Sequence, residues 1–453
     1  MRGMKLNRLV LACMVPHLAA QMTIRQAVAR AEERYPLIRA ASEQANAAAA
    51  GINLARTAYL PKVDFHAQLN RATRNNIYGM MFPQGVIPPI SGPPNPVNSM
   101  TNVWGSGAGF LVSWEPFDFG LRQAQTDAAE RARRRAELAV ERTRFEIAAQ
   151  AADAFLTVLA AQQTVEAAKA GVKRAQAFHE IVSALVKAEL RPGADAARTR
   201  AEVAMAESQR IDAERAAVVA RASLAHFTGT APPELDPQPG RLLSDPPVPG
   251  QTSGAGTHPA LTEQAAAIEE AKARQRILER SYFPKFQLQG AQYARGSGAN
   301  PDFTTGGAAA GLGPNIYNWG VGFSLTMPLM DYASLREKKK IESIQQRVEA
   351  ARLDQIKAEI DTRLEKAKAM LEGAQRLVAN IPIQIESARA AETQATVRYR
   401  SGLGTLAEVA EAQRLLTQTE IDQSLARLAV WRALLAIAAA QGDLKPFLDE
   451  AER

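Results

Sequence analysis

The chain has 453 residues, a formal net charge of +7 and a single cysteine, Cys13. One cysteine excludes an intramolecular disulfide framework and any metal site built from several cysteines, and we expect no bound cofactor. The positive charge does not indicate a nucleic-acid partner, because Arg and Lys alternate with Glu and Gln along predicted helix faces.

Residues 1–20 are predicted to be an export signal. Three basic residues precede the short apolar run "LVLACMV", and residues 19–20 are small enough for cleavage. An alternative interpretation is that the segment around Cys13 is a lipoprotein processing site. No later segment contains about 18 consecutive apolar residues, so we expect no transmembrane helix.

The chain is predicted to be an internal duplication. The segment "AYLPKVDFHAQLN" at 58–70 is echoed by "SYFPKFQLQGAQY" at 281–293, and "GFLVSWEPFDFG" at 109–120 is echoed by "GFSLTMPLMDY" at 322–332. A third pair, "VKAELRPGADAARTRAEV" and "VRYRSGLGTLAEVAEAQR", follows in the same order. Echoes in a fixed order indicate two copies of one structural unit.

The predicted organisation follows from these echoes. The first repeat spans 21–230 and the second spans 257–442, with a linker rich in Pro and Gly at 231–256 and a C-terminal tail at 443–453. Each repeat should contain an entering helix, a β-hairpin, a very long helix, a tight glycine turn and a returning helix.

The hairpins are predicted at 62–115 and 285–327, and their strands alternate apolar and polar residues. About ten residues per strand, with Trp near the strand ends, is typical of a transmembrane β-hairpin. The alternative is a pair of half-buried soluble hairpins covered by helices. The residues predicted to face the membrane are Val63, Phe65, Phe110, Val112, Trp114, Trp319, Val321, Phe323 and Leu325.

Strands that cross lipid must close into a barrel, because an open edge leaves backbone groups unpaired in hydrocarbon. Four strands are too few, since about eight are the usual minimum. The chain must therefore associate. Three copies would supply twelve strands and a polar lumen, whereas two copies would supply eight, and strand number alone leaves both open.

The predicted helices are long. Entering helices are predicted at 23–57 and 259–280, long helices at 121–189 and 333–401, and returning helices at 194–228 and 405–441. Each long segment would extend about 100 Å. Gly171 and Pro382 occupy corresponding positions and both weaken helices, so a bend is predicted at the same height in the two repeats.

Two smaller sequence patterns concern the first long helix and a basic cluster. Apolar residues recur every seven positions in the first long helix, which favours a side-by-side helical wall over an ordinary bundle. Residues 336–340, "REKKK", form a dense basic cluster after a predicted strand. At that place a membrane-surface role fits at least as well as contact with nucleic acid.

These motifs resemble the TolC-type outer-membrane efflux proteins, the trimeric exit ducts of Gram-negative bacteria. The resemblance rests on "MTIRQAVARAEERYPLIRAA", the Leu/Phe-Pro-Lys strand entries, "PFDFG" and "PLMDY" at the strand exits, and "RYRSGLGTLAEVAEAQ" at the second turn. It implies a mainly α fold with a small β part. Long coiled-coil helices would form a periplasmic α-barrel, and four strands per chain would contribute to a 12-stranded trimeric transmembrane β-barrel in the outer membrane.

The resemblance also implies partners and two sites. The partners are two further copies in a homotrimer, outer-membrane lipid, a periplasmic adaptor (membrane fusion) protein, and an inner-membrane pump of RND, ABC or MFS type. An acidic pair lines the closed periplasmic constriction in the family, and its positions fall on Glu408 and Glu411, where aspartates are well known. Without the resemblance, these are two solvated glutamates on an exposed turn. The residues predicted to contact the adaptor are Arg191, Pro192, Gly193, Ser401, Gly402, Leu403 and Gly404.

The leading interpretation is a passive outer-membrane exit duct for small molecules or a secreted protein, coupled to a pump through the adaptor. The alternative is a soluble periplasmic coiled-coil scaffold or adaptor, which salt would wash from membranes, whereas a barrel would need detergent. The sequence contains no nucleotide-binding loop, nucleophile elbow or metal cluster, so we expect no enzymatic activity.

Overall fold

The computed structural model describes residues 20–73, 97–244, 258–302, 304–327 and 329–452. Residues 1–19 of the predicted export signal, with Cys13, lie outside these ranges. So do residues 74–96, within the first predicted hairpin, and residues 245–257, which include the second part of the predicted linker.

The protein is mainly α-helical with a small β part, which confirms the predicted fold class. The described helices are α1 Ile24–Arg34, α2 Pro36–Thr57, α3 Leu121–Lys187, α4 Gly193–Thr228, α5 Pro259–Arg280, α6 Tyr332–Arg400, α7 Leu406–Gln441 and α8 Lys445–Glu452. The described strands are β1 Ala20–Met22, β2 Lys62–Thr73, β3 Asn102–Trp114, β4 Leu235–Pro237, β5 Lys285–Ser297 and β6 Ile316–Thr326. Two short 3-10 helices, Pro232–Glu234 and Gly240–Leu243, flank β4.

The single entering helix predicted at 23–57 is wrong, because the structure divides it at Tyr35. Helix α1 begins after a capping box in which Thr23 and Gln26 exchange side-chain and backbone hydrogen bonds. It ends at Tyr35, whose backbone is extended. A residue before proline avoids the helical region, and Pro36 then opens α2 at the first helical position, which proline favours.

The chain forms two compact units, and each draws segments from both predicted repeats. The helical unit contains the described residues within 1–42, 138–263 and 354–453. The sheet unit contains the described residues within 43–137 and 264–353.

The core of the helical unit packs α1, α3, α4, α7 and α8 together. Phe155, Leu224 and Trp431 are almost completely buried in it, and the Trp431 ring lies 6.2 Å from that of Phe447 in α8. Strand β1 pairs in parallel with β4 beside this core. The segment predicted as a tail therefore contains a helix whose apolar side is buried.

Small residues let the long helices of the helical unit approach closely. A Cβ atom at Gly171 of α3 would lie 3.1 Å from the side chain of Thr417 in α7. Helix α6 continues through Pro382 without interruption. The predicted bend at these two positions stays a prediction, and Gly171 has a packing role of its own.

Helix α7 is the described helix that is long and apolar enough to cross a membrane by length and composition. Half of its most apolar window is buried inside the protein. Core helices meet the same criterion, so this feature assigns no membrane span.

The sheet unit is built around a four-stranded sheet in the order β2-β3-β5-β6. All three pairings are antiparallel, and Phe65 lies opposite Phe110, Val112 opposite Gly290, and Leu288 opposite Phe323. Within the described part of the chain, β2 and β6 pair on one side only. The sheet therefore has two open edges.

Candidate functional site

The first turn of interest joins α3 to α4. Glu189 adopts a left-handed backbone (φ 58°), which non-glycine residues rarely do, and the N–H of Leu190 donates to the carbonyl of Leu185 at 2.9 Å. Pro192 then precedes Gly193, the first residue of α4. Pro192 and Gly193 are exposed and Arg191 is half-buried.

The second turn joins α6 to α7 and requires two glycines for different reasons. Gly402 has a left-handed backbone (φ 79°), and a Cβ atom at Gly404 would lie 3.1 Å from the backbone nitrogen of Tyr399. The N–H groups of Leu403 and Gly404 both donate to the carbonyl of Arg398 and close the end of α6. Ser401, Gly402 and Leu403 are exposed.

Tyr399 holds the two turns together. Its side chain is 1% exposed, and its hydroxyl donates to the Asp195 carboxylate at 3.0 Å. The Arg191 guanidinium lies 4.5 Å from the centre of the Tyr399 ring and donates to the Tyr399 carbonyl at 2.6 Å. Burial, with the hydrogen bond to Asp195, raises the pKa of Tyr399 to about 12.

An apolar cluster surrounds this tyrosine. The Phe178 ring of α3 lies 5.3 Å from the Tyr399 ring, and Val182 of α3 with Leu406 and Val409 of α7 completes the cluster. Helices α3, α6 and α7 thus meet around one buried ring. The contact between Tyr399 and Asp195 was not predicted, because residues 204 positions apart carry no local signal of contact.

Glu408 stands in the first turn of α7 and is held by local contacts. Its backbone N–H donates to the Thr405 hydroxyl at 3.3 Å, and that hydroxyl lies 3.1 Å from the Glu408 carboxylate. Arg398 approaches the same carboxylate at 4.0 Å. The side chain is 48% exposed. A carboxylate at a helix N-terminus is favoured by the helix dipole. Glu408 therefore stabilises the start of α7 within a single copy of the chain.

Glu411 lies one turn further along α7. Its side chain is 75% exposed and forms an ion pair with Arg414 at 3.2 Å. Glu408 and Glu411 are both exposed in a single copy, and their role as a pair stays a prediction.

A groove runs beside Glu411 between α4 and α7, with α3 as its floor. Its volume is about 630 Å³. Arg174 of α3 reaches across toward α7 and donates to Thr417 at 2.7 Å and to Glu420 at 2.8 Å. The lining residues include Ala168, Gly171, Glu202, Met205, Glu411 and Arg414.

The second candidate region is one face of the sheet. The register places all nine residues predicted to face the membrane on this face, because directly opposed residues of paired strands point to the same side. We call it the apolar face. Trp319 is 81% exposed and Val321 is 69% exposed, although both are large and apolar. Phe65 and Phe110 pack together across two strands, with ring centres 5.1 Å apart.

Strand β5 adds two residues that are not among the predicted membrane-facing residues. Phe286 and Leu288 lie opposite Leu325 and Phe323 and therefore belong to the apolar face. The alternation in "KFQLQG" was the available signal. The other face of the sheet carries mostly polar side chains and glycines, although Leu111, Tyr293 and Ile316 also lie on it. Its polar residues and glycines include Asp64, His66, Gln68, Asn70, Gly107, Gln289, Arg295, Gly322 and Ser324.

The first strand–helix junction is closed by a buried ion pair. Arg122 of α3 pairs with Asp118 at 2.9 Å, and both side chains are nearly buried. Burial alone would raise the pKa of Asp118, but hydrogen bonds from the Arg122 backbone and guanidinium lower it. The guanidinium also lies 4.8 Å from the centre of the Tyr59 ring, and the Trp114 indole donates to the Tyr59 carbonyl at 3.1 Å.

Comparison with known proteins gives one family and a consistent fold. The sequence model of the family described as "Outer membrane efflux protein" matches residues 27–230 and 255–443. Comparison with curated protein sequences gave no match.

Solved structures of outer-membrane channels share the fold at low identity. CusC is 14% identical, with a TM-score of 0.74 over 94% of this chain and 93% of that chain. The Campylobacter jejuni channel CmeC is 14% identical, with a TM-score of 0.72 over 95% and 89%. The channel OprN is 19% identical, with a TM-score of 0.70 over 92% and 89%.

Proposed function

Because the chain belongs to the outer membrane efflux protein family, and is an outer-membrane exit duct by that membership, we propose that it acts as a passive homotrimer. Small molecules or a secreted protein would cross through it, driven by an inner-membrane pump of RND, ABC or MFS type. A periplasmic adaptor would connect the two. The chain itself would catalyse no reaction.

The observation that carries this proposal is the apolar face of the sheet. Large side chains such as Trp319 and Val321 are exposed there, whereas the opposite face is mostly polar. Lipid is the solvent in which such a face is stable, and hydrocarbon does not tolerate the open edges of β2 and β6. Edge pairing between three copies would remove both edges and give a twelve-stranded barrel with a polar lumen.

The two turns suit the periplasmic end of the duct. In the proposed trimer, the pair Glu408 and Glu411 from each copy would form two rings of carboxylates, which attract cations at a constriction. The contact of Tyr399 with Asp195 holds the two turns of each copy together. Separation of the turns would widen the constriction, and breaking this contact is one cost of opening.

The exposed turn residues offer a surface for the adaptor. Pro192, Gly193 and Leu403 are exposed, and no described residue covers them. The groove between α4 and α7 lies further along the same two helices, from Glu202 and from Ala410 onward. An adaptor that binds both turns could favour the state in which the turns are apart and Tyr399 no longer contacts Asp195.

The mass of the detergent-solubilised protein tests the proposal. Light scattering, corrected for bound detergent, should give three copies, and unheated samples should migrate differently from heated samples on a gel. A monomer or dimer that stays soluble without detergent would favour the alternative, a periplasmic scaffold whose hairpins never enter lipid.

A further inference from the structure

The two strand–helix junctions differ in a way that the duplication makes visible. Tyr59 and Lys62 of the first junction correspond in sequence to Tyr282 and Lys285 of the second. In the first junction, Arg122 covers the Tyr59 ring and is neutralised by Asp118. The first junction is therefore filled.

The second junction cannot be filled in the same manner. The segment "PLMDYASLR" is two residues longer than "PFDFGLR", so Arg336, the counterpart of Arg122, is displaced along the chain. Arg336 is exposed and has no ion pair within the described part of the chain. The Tyr282 ring instead contacts the ring of Tyr332, with centres 5.8 Å apart.

The longer segment leaves an open cavity of about 460 Å³ at this junction. The ammonium-bearing residues Lys285 and Lys338 line it, and neither forms an ion pair with a described carboxylate. Hydroxyl groups are supplied from both sides of the junction, and one carboxylate, Asp331, is also present. The lining residues are Ser281, Tyr282, Lys285, Thr326, Asp331, Ser334, Leu335 and Lys338.

The charge around the cavity is positive on balance. The remaining residues of "REKKK" add three cations, at Arg336, Lys339 and Lys340, and one carboxylate, at Glu337. With the two lining lysines and Asp331, these groups sum to +3. A ligand with a negative charge and hydroxyl or ester oxygens would match this surface.

The cavity adjoins exposed apolar residues. Strand β6 of the apolar face ends at Thr326, and the segment that follows exposes Met327, Leu329, Met330 and Tyr332, with Met330 91% exposed. A basic cluster next to an apolar surface is the arrangement of a membrane interface, where Lys side chains reach the phosphate level.

We propose that this cavity binds the headgroup of an anionic glycerophospholipid, with its phosphodiester between Lys285 and Lys338. The acyl chains lie against Met327, Leu329, Met330 and Tyr332, and headgroup hydroxyls donate to Asp331. The first junction binds no such lipid, because Arg122 and Asp118 already neutralise each other there. The inference rests on the proposed function, since it requires that the apolar face meet lipid.

Native mass spectrometry of the full-length, delipidated protein in detergent tests the proposal. The protein is offered equal amounts of phosphatidylglycerol and phosphatidylethanolamine, and the bound fraction of each is measured. The wild type should retain phosphatidylglycerol preferentially. The double variant Lys285→Gln/Lys338→Gln should bind it about 30-fold more weakly, the effect expected for two lysines at an anionic lipid surface.

The matched control is Lys62→Gln/Lys366→Gln, which removes two exposed lysines away from the cavity and should bind as the wild type does. Lys285→Arg/Lys338→Arg should keep most of the binding. Ser334→Glu, which adds a carboxylate at a position that favours helix formation, should weaken binding without affecting folding. Gel mobility before and after heating reports whether each variant is folded.

Three results would overturn the proposal: equal loss in the control, equal retention of phosphatidylethanolamine, or complete displacement of the lipid by excess inorganic phosphate. The last would identify a site for a free anion. Single-channel recording of the wild type in neutral lipid separates the proposed lipid site from the proposed duct function. Conduction without lipid selectivity would reject the lipid site alone, whereas a protein that neither conducts nor requires detergent would reject the duct as well.

Discussion

At the scale of single residues, Tyr399 is the side chain on which the turn region depends. It is buried, its hydroxyl donates to Asp195, and its ring contacts both Phe178 and Arg191. A hydrogen bond to a charged group typically contributes about 1.5–3 kcal/mol, so its removal should shift the balance between closed and open turns measurably.

We expect Tyr399→Phe to increase the frequency of channel opening in single-channel recordings by roughly tenfold or more, since about 1.4 kcal/mol corresponds to tenfold. The control is Tyr332→Phe, which removes an exposed hydroxyl. If both variants open as rarely as the wild type, the contact with Asp195 does not restrain the turns.

The raised pKa of Tyr399 gives the same contact a pH dependence. Because its folded-state pKa exceeds the ordinary value of 10.0, the neutral phenol stabilises the closed turns below about pH 10, and this stabilisation is lost as pH rises toward about 12. Openings of the wild type should increase over this range, and Tyr399→Phe should lack that increase.

At the scale of elements, the strands decide how the protein meets its surroundings. Phe323 and Ser324 are neighbours on β6, yet the register places them on opposite faces. A strand with alternating faces tolerates a charged side chain only on the face that points to the lumen, because lipid on the other face does not solvate a charge.

Phe323→Arg should therefore destabilise the folded barrel by about 2–4 kcal/mol, whereas Ser324→Arg should cost much less because its side chain would enter a polar lumen. The measurement is the temperature at which the compact gel band of the detergent-solubilised protein disappears. Equal effects of the two variants would mean that neither face of β6 contacts lipid.

The bounds of the helices show how well local sequence patterns predict secondary structure. The long helix predicted at 121–189 is observed at Leu121–Lys187, and the returning helix predicted at 405–441 is observed at Leu406–Gln441. Glycine turns and helical periodicity act within a few residues, so sequence predicts them well. The division at Tyr35 was missed, although Pro36 was a visible signal of it.

At the scale of the whole molecule, the proposed gate depends on three copies. Glu408 and Glu411 each have local partners in one chain, namely Thr405 and Arg414. Only rings of carboxylates in a narrow lumen would give the pair an effect on permeating ions.

Glu408→Ala/Glu411→Ala should lower the preference for cations several-fold in bilayer recordings, since like charges in a ring raise the local cation concentration. Glu365→Ala/Glu372→Ala removes two exposed glutamates of α6 that also pair with neighbouring basic residues, and serves as the control. Unchanged conductance and selectivity in the first variant would remove these residues from the gate.

The sequence alone determined the duplicated order of elements, the ends of the long helices and the alternation that identifies the apolar face. These features depend on backbone preferences and side-chain periods that operate over short distances. Tertiary structure alone decided which residues meet across the turns and which junction is filled. Tyr399 meets Asp195, and Arg122 covers Tyr59, only because packing brings distant segments together, and a two-residue insertion was enough to leave the second junction open.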